Sequence, residues 1–454
     1  AINREDWFIH GHKTLNPDAF VDLQSIKDPQ VVVQEILKRY AEKGYPVVDI
    51  YVNVPDRVIR ISEPNVVASG KYSEYIKNGV LLNNKDLELA ILRLKTEADL
   101  NGEKVSITIG KATEYEVPVT VTTSPLDGYK KVGGSLIFNT YGQRYSGPDV
   151  LTGYGYYRPG GGQQFEVSYS HGFQWRDISK GGKFNNVTLG WKKASPYGMW
   201  NVNLAHTKYR LGGELADIGL TGEIDAFNIK NEYLLNRNTM IEAGLYFKVN
   251  KQNLEAISAH EVQKYTYGSL GFTYKDSKGN FNYLLSGELN IGLEGSNRFA
   301  PTKIMGVFDH NFKSVKLDFN SNYKFENGVV WTNKSGIQLG SEKTPSAESF
   351  SMGGPYRARA YHIGFASMPN GLYISNEFRF NQLDKEGKWK PYVGHDYTYG
   401  IKADNTKVRA QSIYGGVLYQ PNNKVSLNIV GAREIGKVRG AGLNRVNLVM
   451  SWNF

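Results

Sequence analysis

From Lys131 to Phe454 the apolar residues recur at every second position, and nowhere in the chain do they run for the roughly 20 consecutive residues that a membrane-spanning helix requires. A period of two sends successive side chains to opposite faces of an extended backbone. In Phe281 to Glu294 the positions Phe281, Tyr283, Leu285, Leu289, Ile291 and Leu293 are apolar, against polar Asn282, Ser286, Glu288, Asn290 and Glu294. Leu372, Ile374, Phe378 and Phe380 alternate likewise with Tyr373, Ser375, Glu377 and Arg379, and Val425, Leu427 and Ile429 with Ser426 and Asn428. The last segment is the strictest: Val446, Leu448, Met450, Trp452 and Phe454 alternate with Arg445, Asn447, Val449, Ser451 and Asn453.

A soluble sandwich and a transmembrane barrel both satisfy such alternation, and turn lengths separate them. About sixteen strands can be counted. Short turns such as Pro159-Gly160-Gly161-Gly162, Asn236-Arg237-Asn238, Glu326-Asn327-Gly328 and Pro421-Asn422-Asn423 follow even-numbered strands. Longer connections, notably Leu211 to Glu223, Lys251 to His260 and Glu294 to Lys313, follow odd ones. Short turns at one rim and long loops at the other are the asymmetry of an outer-membrane barrel, and a sandwich has no reason to show it. The 30 Tyr, 49 Gly and mean hydropathy of −0.43 agree, because only alternate residues face lipid and aromatic girdles mark the interfaces. An even strand number puts both ends of the barrel at the short-turn, periplasmic rim. The sequence therefore predicts an all-β transmembrane barrel of about 16 antiparallel strands over residues 128–454.

Two small α/β units precede it, over residues 1–62 and 63–127. In the first, Asp28-Pro29 predicts a helix start, Val33, Leu37 and Tyr40 its apolar face, widened by Val32 and Ile36, and Gly44 its end. In the second, Asn83 or Asn84 caps a helix with Leu87, Ala90, Ile91 and Leu94 on one face, and Val105 to Ile109 and Val117 to Val121 read as strands. Such units are generic folded spacers or, by their strand edges, acceptors for an extended client. Val47, Ile50, Val52, Leu87, Ile91 and Ile107 are the candidate client-binding positions.

Several functions find no support. There is no cysteine for a disulfide, a thiolate metal site or a nucleophile. The net charge of +10 is spread without a dense Lys/Arg run, so no nucleic-acid partner is expected. His10 and His12 lack a third metal ligand, the glycine-rich turns lack the Lys-Ser/Thr of a phosphate loop, and no Ser-His-acid set assembles from inward positions. No cofactor, metal or enzymatic activity is expected. The sequence opens Ala1-Ile2-Asn3 without a basic segment and an apolar one behind it, so a secretory signal is expected to have been removed.

One long connection, about residues 341–370, follows the eleventh strand and carries Gly353, Gly354, Arg359, Ala360 and Tyr361. It reads as a sixth outer loop that folds back into the pore. In Lys390 to Tyr399 the alternation places Tyr392, Gly394, Asp396 and Thr398 on the inward face. A lumen carboxylate is a natural partner for an arginine brought in on a loop, because guanidinium offers paired donors and stays charged. Gly394 would leave room for the loop to approach. The alternative is an Arg359 free in solvent and an Asp396 that is one polar lumen residue among many.

These features together resemble the transporters of two-partner secretion (TpsB type) in the Omp85 superfamily. The two units are similar to POTRA domains. Leu136-Ile137-Phe138-Asn139-Thr140-Tyr141-Gly142-Gln143-Arg144-Tyr145-Ser146-Gly147 is similar to the family's first hairpin. Gly353-Gly354 with Ala358-Arg359-Ala360-Tyr361 is similar to its Val-Arg-Gly-Tyr/Phe lid motif, and Pro391-Tyr392-Val393-Gly394-His395-Asp396 to the strand-thirteen motif with an inward Asp. Trp452 and the terminal Phe454 resemble a barrel-assembly signal. Ala360 departs from the motif's glycine and adds a methyl where the family keeps the backbone bare. The family's plug helix is a second departure: only about six residues precede Trp7, so either that helix lies outside this sequence or closure rests on the loop.

The resemblance implies a bacterial outer-membrane pore with periplasmic POTRA domains, passing one large exoprotein (TpsA type) such as an adhesin, a haemolysin or a contact-dependent toxin. It also implies contact with outer-membrane lipids and lipopolysaccharide, assembly by the barrel-assembly machinery, and action as a monomer. The alternatives are an outer-membrane protein insertion factor of the same superfamily, a porin-like channel and, last, an enzyme.

Overall fold

The computed structural model describes residues 5–175, 181–306, 308–436 and 444–454. Residue 307 of the expected loop Glu294 to Lys313, and residues 1–4 of the first domain, lie outside them. The chain divides into two compact units with the break after Tyr129.

In the first unit, β1 (Phe8–His10), α1 (Pro29–Glu42), β2 (Asp49–Asn53) and β3 (Val58–Ser62) form one module, its sheet ordered β1-β3-β2. α1 starts where the Asp28 carboxylate accepts the Gln30 N–H at 3.0 Å, and it ends before Gly44, whose φ of +92° admits the turn. Its buried face is Val32, Ile36 and Tyr40, while Leu37 is exposed. This corrects the expected stripe through Val33 and Leu37: the helix is turned so that Tyr40, the residue common to both stripes, is fully buried and donates its hydroxyl to Glu63 at 2.9 Å.

β4 (Asn65–Gly70), α2 (Asn84–Leu100), β5 (Glu103–Ile109) and β6 (Glu116–Pro125) repeat the scheme, with sheet order β4-β6-β5. Here Asn83 is the cap, accepting from the Lys85 and Asp86 amides at 2.9 and 3.3 Å. Each sheet pairs one strand in parallel and one antiparallel on its centre, leaving β1 and β2 as the edges of the first and β4 and β5 as those of the second.

The second unit is a closed barrel. Its strands are β7 (Val132–Asn139), β8 (Asp149–Gly160), β9 (Gln163–Phe173), β10 (Lys183–Ser195), β11 (Gly198–Arg210), β12 (Leu220–Leu234), β13 (Thr239–Leu254) and β14 (Ala259–Lys278). They continue with β15 (Phe281–Ala300), β16 (Lys313–Lys324) and β17 (Val330–Gly340). A small hairpin inside the lumen, β18 (Phe350–Met352) and β19 (Ala366–Met368), interrupts the wall. β20 (Asn370–Arg379), β21 (Trp389–Ile401), β22 (Lys407–Tyr419), β23 (Val425–Ile435) and β24 (Asn444–Asn453) then close sixteen strands, with β24 paired back to β7.

Closure leaves the sheet without a free edge strand, the condition a membrane imposes on spanning sheets. The final residue completes it: Phe454 N–H donates to Gly134 O at 3.0 Å and Gly134 N–H to Phe454 O at 3.1 Å. Trp452 and Phe454 pack ring to ring at 5.1 Å on the outward face, and the Phe454 ring occupies the space a Cβ on Gly134 would need.

Alternation decides facing throughout. Ile374, Val393, Ile413 and Ile429 are exposed on the wall's outside, whereas Tyr373, Tyr392, Tyr414 and Val430 are buried within. Two expectations are corrected. Lys251 to His260 is strand rather than loop, because β13 and β14 run on until only residues 255–258 connect them, and β15 likewise continues past Glu294. Above the lipid band both faces of a strand are polar, so its alternation disappears while its hydrogen bonds persist. In addition, Leu293 is an extra residue opposite Thr266 and Tyr267, a bulge that inverts the facing of β15 beyond it.

Gly134→Val would place side-chain atoms against the Tyr154 carbonyl and the Phe454 ring. The heat-resistant folded form on unheated gels should fall several-fold, whereas Gly431→Ala, where nothing lies within 4 Å of the new Cβ, should assemble normally.

Candidate functional site

The lid, residues 341–369, leaves β17 and turns into the lumen, where Phe350, Met352, Ala358, Ala360, Tyr361 and Met368 pack against inward Tyr373, Tyr392, Ala410, Tyr414, Val430 and Ala432. Its tip is tightly wound. Gly353 and Gly354 take φ of +96° and +80°, and a Cβ on Gly353 would collide with the His362 carbonyl. Gly353 N–H donates to Arg357 O at 2.7 Å, and Gly354 N–H to Tyr361 O at 3.1 Å. Tyr356 and Ala358 hold φ of +67° and +73°, conformations that cost a residue with a Cβ on the order of 1 kcal/mol each. Ala360 lies outside this left-handed region, and its methyl is fully buried in the lid's apolar cluster. The doubt its extra methyl raised about the tip is thus answered: the strain sits at Ala358, two residues earlier.

Arg359 and Asp396 meet in the lumen, exposed by 5% and 0%. Arg359 donates to Asp396 Oδ2 from Nε at 2.7 Å and to Oδ1 from Nη2 at 3.1 Å, and its own backbone N–H reaches Oδ2 at 3.1 Å. Ser375 Oγ adds a bond to Oδ1 at 2.6 Å and Ser412 Oγ one to Oδ2 at 3.2 Å. Asp396 thus accepts five hydrogen bonds, which offsets the cost of taking the charge out of water. The guanidinium lies 3.5 Å above the Tyr414 ring, with Tyr356 at 5.2 Å.

Gly394 does not make room for the loop as expected. A Cβ there would overlap Tyr414, so the glycine seats the ring on which Arg359 rests and acts on the pair at one remove. Ser375, Ser412 and Tyr414 escaped the sequence reading; the signal was their inward parity on β20 and β22 opposite Asp396, legible only once the register was known.

The candidate positions in the first unit fare differently. Ile50 and Val52 pack into the core of the first module, and Val47, Leu87 and Ile107 into that of the second. Ile91 is half-buried. All six are partly exposed at the rims of these cores, in the same modules as exposed Tyr51, Val54 and Ile109. Among the described residues no cluster of His, Asp and Glu could hold a metal ion.

His362, on the lid, is half-buried, and burial together with Arg445 and Arg144 pushes its imidazole from 6.5 down to about 4.

A model of the family described as haemolysin secretion/activation protein ShlB/FhaC/HecB matches residues 162–418. Among solved structures, CdiB from Escherichia coli superposes with a TM-score of 0.74 at 16% identity, over 100% of this chain and 91% of that one. CdiB from Acinetobacter baumannii gives 0.72 at 14%, over 100% and 91%. BamA from Haemophilus ducreyi lacking POTRA domains 1–3 gives 0.57 at 14%, over the whole of both chains. At these identities the likeness is one of fold. Comparison with curated protein sequences gives no match.

Two predictions concern the lid. Asp396→Asn leaves the guanidinium short of its counter-charge in a buried site, a change that typically costs about 3–5 kcal/mol; the folded barrel should persist while the lid becomes accessible to protease. The second is a pH effect. A lifted lid returns His362 to water, where it takes up a proton near 6.5, whereas the seated lid resists protonation until about 4. Seating is therefore unpenalised above about pH 6.5 and weakens as pH falls towards 4. Lifting of the tip, read as its accessibility to protease, should rise roughly tenfold between pH 7 and 5, and His362→Gln should flatten that rise.

Proposed function

The chain belongs to the haemolysin secretion/activation family ShlB/FhaC/HecB, the outer-membrane pores of two-partner secretion, and from that premise we propose that its lid gates the passage of a large unfolded exoprotein. The observation that carries the reading is the buried Arg359–Asp396 pair, which fastens a folded loop inside the lumen of the barrel. A pore for small solutes gains nothing from a plug fixed by a desolvated ion pair. A pore for a polypeptide must be closed at rest and wide when used.

In this reading the two α/β modules lie in the periplasm and accept the client's amino-terminal domain in extended form along a sheet edge, β2 and β5 being the edges that run antiparallel to their neighbours. The client then moves through the barrel as the lid shifts. With no nucleotide in the periplasm, folding outside the cell supplies the direction. The chain acts as a monomer, is inserted by the barrel-assembly machinery, and presents its apolar outer band to membrane lipid and lipopolysaccharide. It carries out no catalysis. The partner is an adhesin, a haemolysin or a contact-dependent toxin, found by reading the gene neighbourhood for a very large exported protein.

Secretion and conductance together test the proposal. Arg359→Ala and Asp396→Asn should each cut client export at least about tenfold while the barrel still assembles. Unchanged export in both variants would remove the lid from the mechanism, and steady conductance with no export by the unaltered protein would indicate a porin. Insertion of unrelated barrels in place of export would favour the assembly-factor reading.

A further inference from the structure

A second charged group of the lid is built into the wall far from Asp396. Glu348 closes a short 3-10 turn (Ser346–Glu348) ahead of β18, and its side chain is 7% exposed. Lys248 Nζ donates to its Oε1 and Oε2 at 2.7 and 2.8 Å, Tyr265 OH to Oε2 at 3.0 Å, and Tyr267 OH to Oε1 at 2.9 Å. Its backbone carbonyl accepts from Gln338 Nε2 at 2.7 Å. The donors are firmly placed: Tyr246 stacks on Tyr267 at 4.7 Å, and Phe312 sets its edge against Tyr265 and Tyr267 at 6.1 and 5.5 Å. Lys248 lies on β13 and the two tyrosines on β14, the seventh and eighth strands of the wall; Asp396 lies on β21, the thirteenth. Four strands, β15, β16, β17 and β20, stand between the two sectors.

We infer that Glu348 is a second latch of the lid, a positioning residue that holds the loop's first half to β13 and β14 while Arg359 holds its tip to β21. The inference rests on the lid being the gate. A loop pinned at one point swings clear when that point lets go. Pinned to two separated sectors, it is a strut across the lumen, and release of Arg359 alone leaves its first half in place. The lid then opens in two steps: the tip lifts first, and the pore becomes wide only when Glu348 also leaves Lys248, Tyr265 and Tyr267. The rival explanation is that Glu348 merely neutralises Lys248 in the wall, with no bearing on the gate.

The chain has no cysteine, so one engineered thiol reports on one place. In full-length protein carrying Ala360→Cys at the buried tip, reconstituted without client, thiol modification rate and single-channel conductance are measured for Asp396→Asn, Glu348→Gln and the double variant. Hydrogen bonds to a charged group are each worth about a tenfold shift in a two-state equilibrium. Asp396→Asn should therefore speed thiol modification about tenfold or more with conductance close to that of the parent, Glu348→Gln should leave the thiol protected, and the double variant should conduct in long, wide openings. Exchange of the charges, Glu348→Lys with Lys248→Glu in the Asp396→Asn background, should restore low conductance. Asp396→Asn conducting as fully as the double variant overturns the second latch, as does failure of the exchange in a barrel that has assembled. If Glu348→Gln does not assemble, Tyr265→Phe with Tyr267→Phe removes two of the donors at nearly constant shape and takes its place under the same criteria. Because no client is present, these outcomes are independent of export; loss of the secretion reading would show only in the export assay.

Discussion

Everything in this molecule follows from the requirement that a sheet crossing a membrane have no unpaired edge. Sixteen strands meet it by closing β24 onto β7 and by using the last residue, Phe454, as a backbone partner for Gly134. A barrel of that size encloses more space than its inward side chains can fill. The lid is the answer to a problem closure creates. Its apolar residues cover the tyrosines of β20, β21 and β22, and its charged residues find fixed partners in the wall.

The chemistry of those attachments suits reversible closure. The apolar cluster around Tyr361 and Tyr392 gives attraction without direction, and by itself would let the lid settle in several positions. Buried ion pairs add little net stability over apolar contacts of equal volume, but they admit one geometry and are costly when half broken. Asp396 with five hydrogen bonds and Glu348 with four fix where the lid sits. Once both partners of a pair reach water each is solvated again, so full release costs less than partial release. Two such pairs on separated sectors give each half of the lid its own seated and free state, so that opening passes through one defined intermediate, tip free and first half held.

The wall was legible in the sequence because a side-chain period of two is imposed by the backbone, and one face of every strand must be apolar to meet lipid. The reading broke down where that pressure ends. Above the lipid band, Lys251 to His260 lost its alternation and looked like a loop, and Leu293 inverted the facing of β15 without any local mark. In the first unit, Val33 and Leu37 fitted a helical stripe as well as Val32 and Ile36 did, and only tertiary packing against Phe20, Ile59 and Ile61 decides between them. Asp396 could be found because Arg359 needed an inward carboxylate and strand parity supplied one. Glu348 could not, since its partners lie some 80 to 100 residues earlier in sequence and join it only through the fold of the loop.

The strained tip connects these observations. Tyr356 and Ala358 flank Arg357 in left-handed backbone that neither side chain favours, and Arg359 follows directly. The backbone N–H of Arg359 donates to the same Oδ2 that its Nε holds, so the salt bridge fixes the chain direction as well as the side chain, beside the tip's own backbone bonds from Gly353 to Arg357 and from Gly354 to Tyr361. Ala360, whose methyl is buried in the apolar cluster, resists departure of the tip by the contacts it would have to give up. The methyl that stands where the motif has glycine thus packs beside the latch rather than in it.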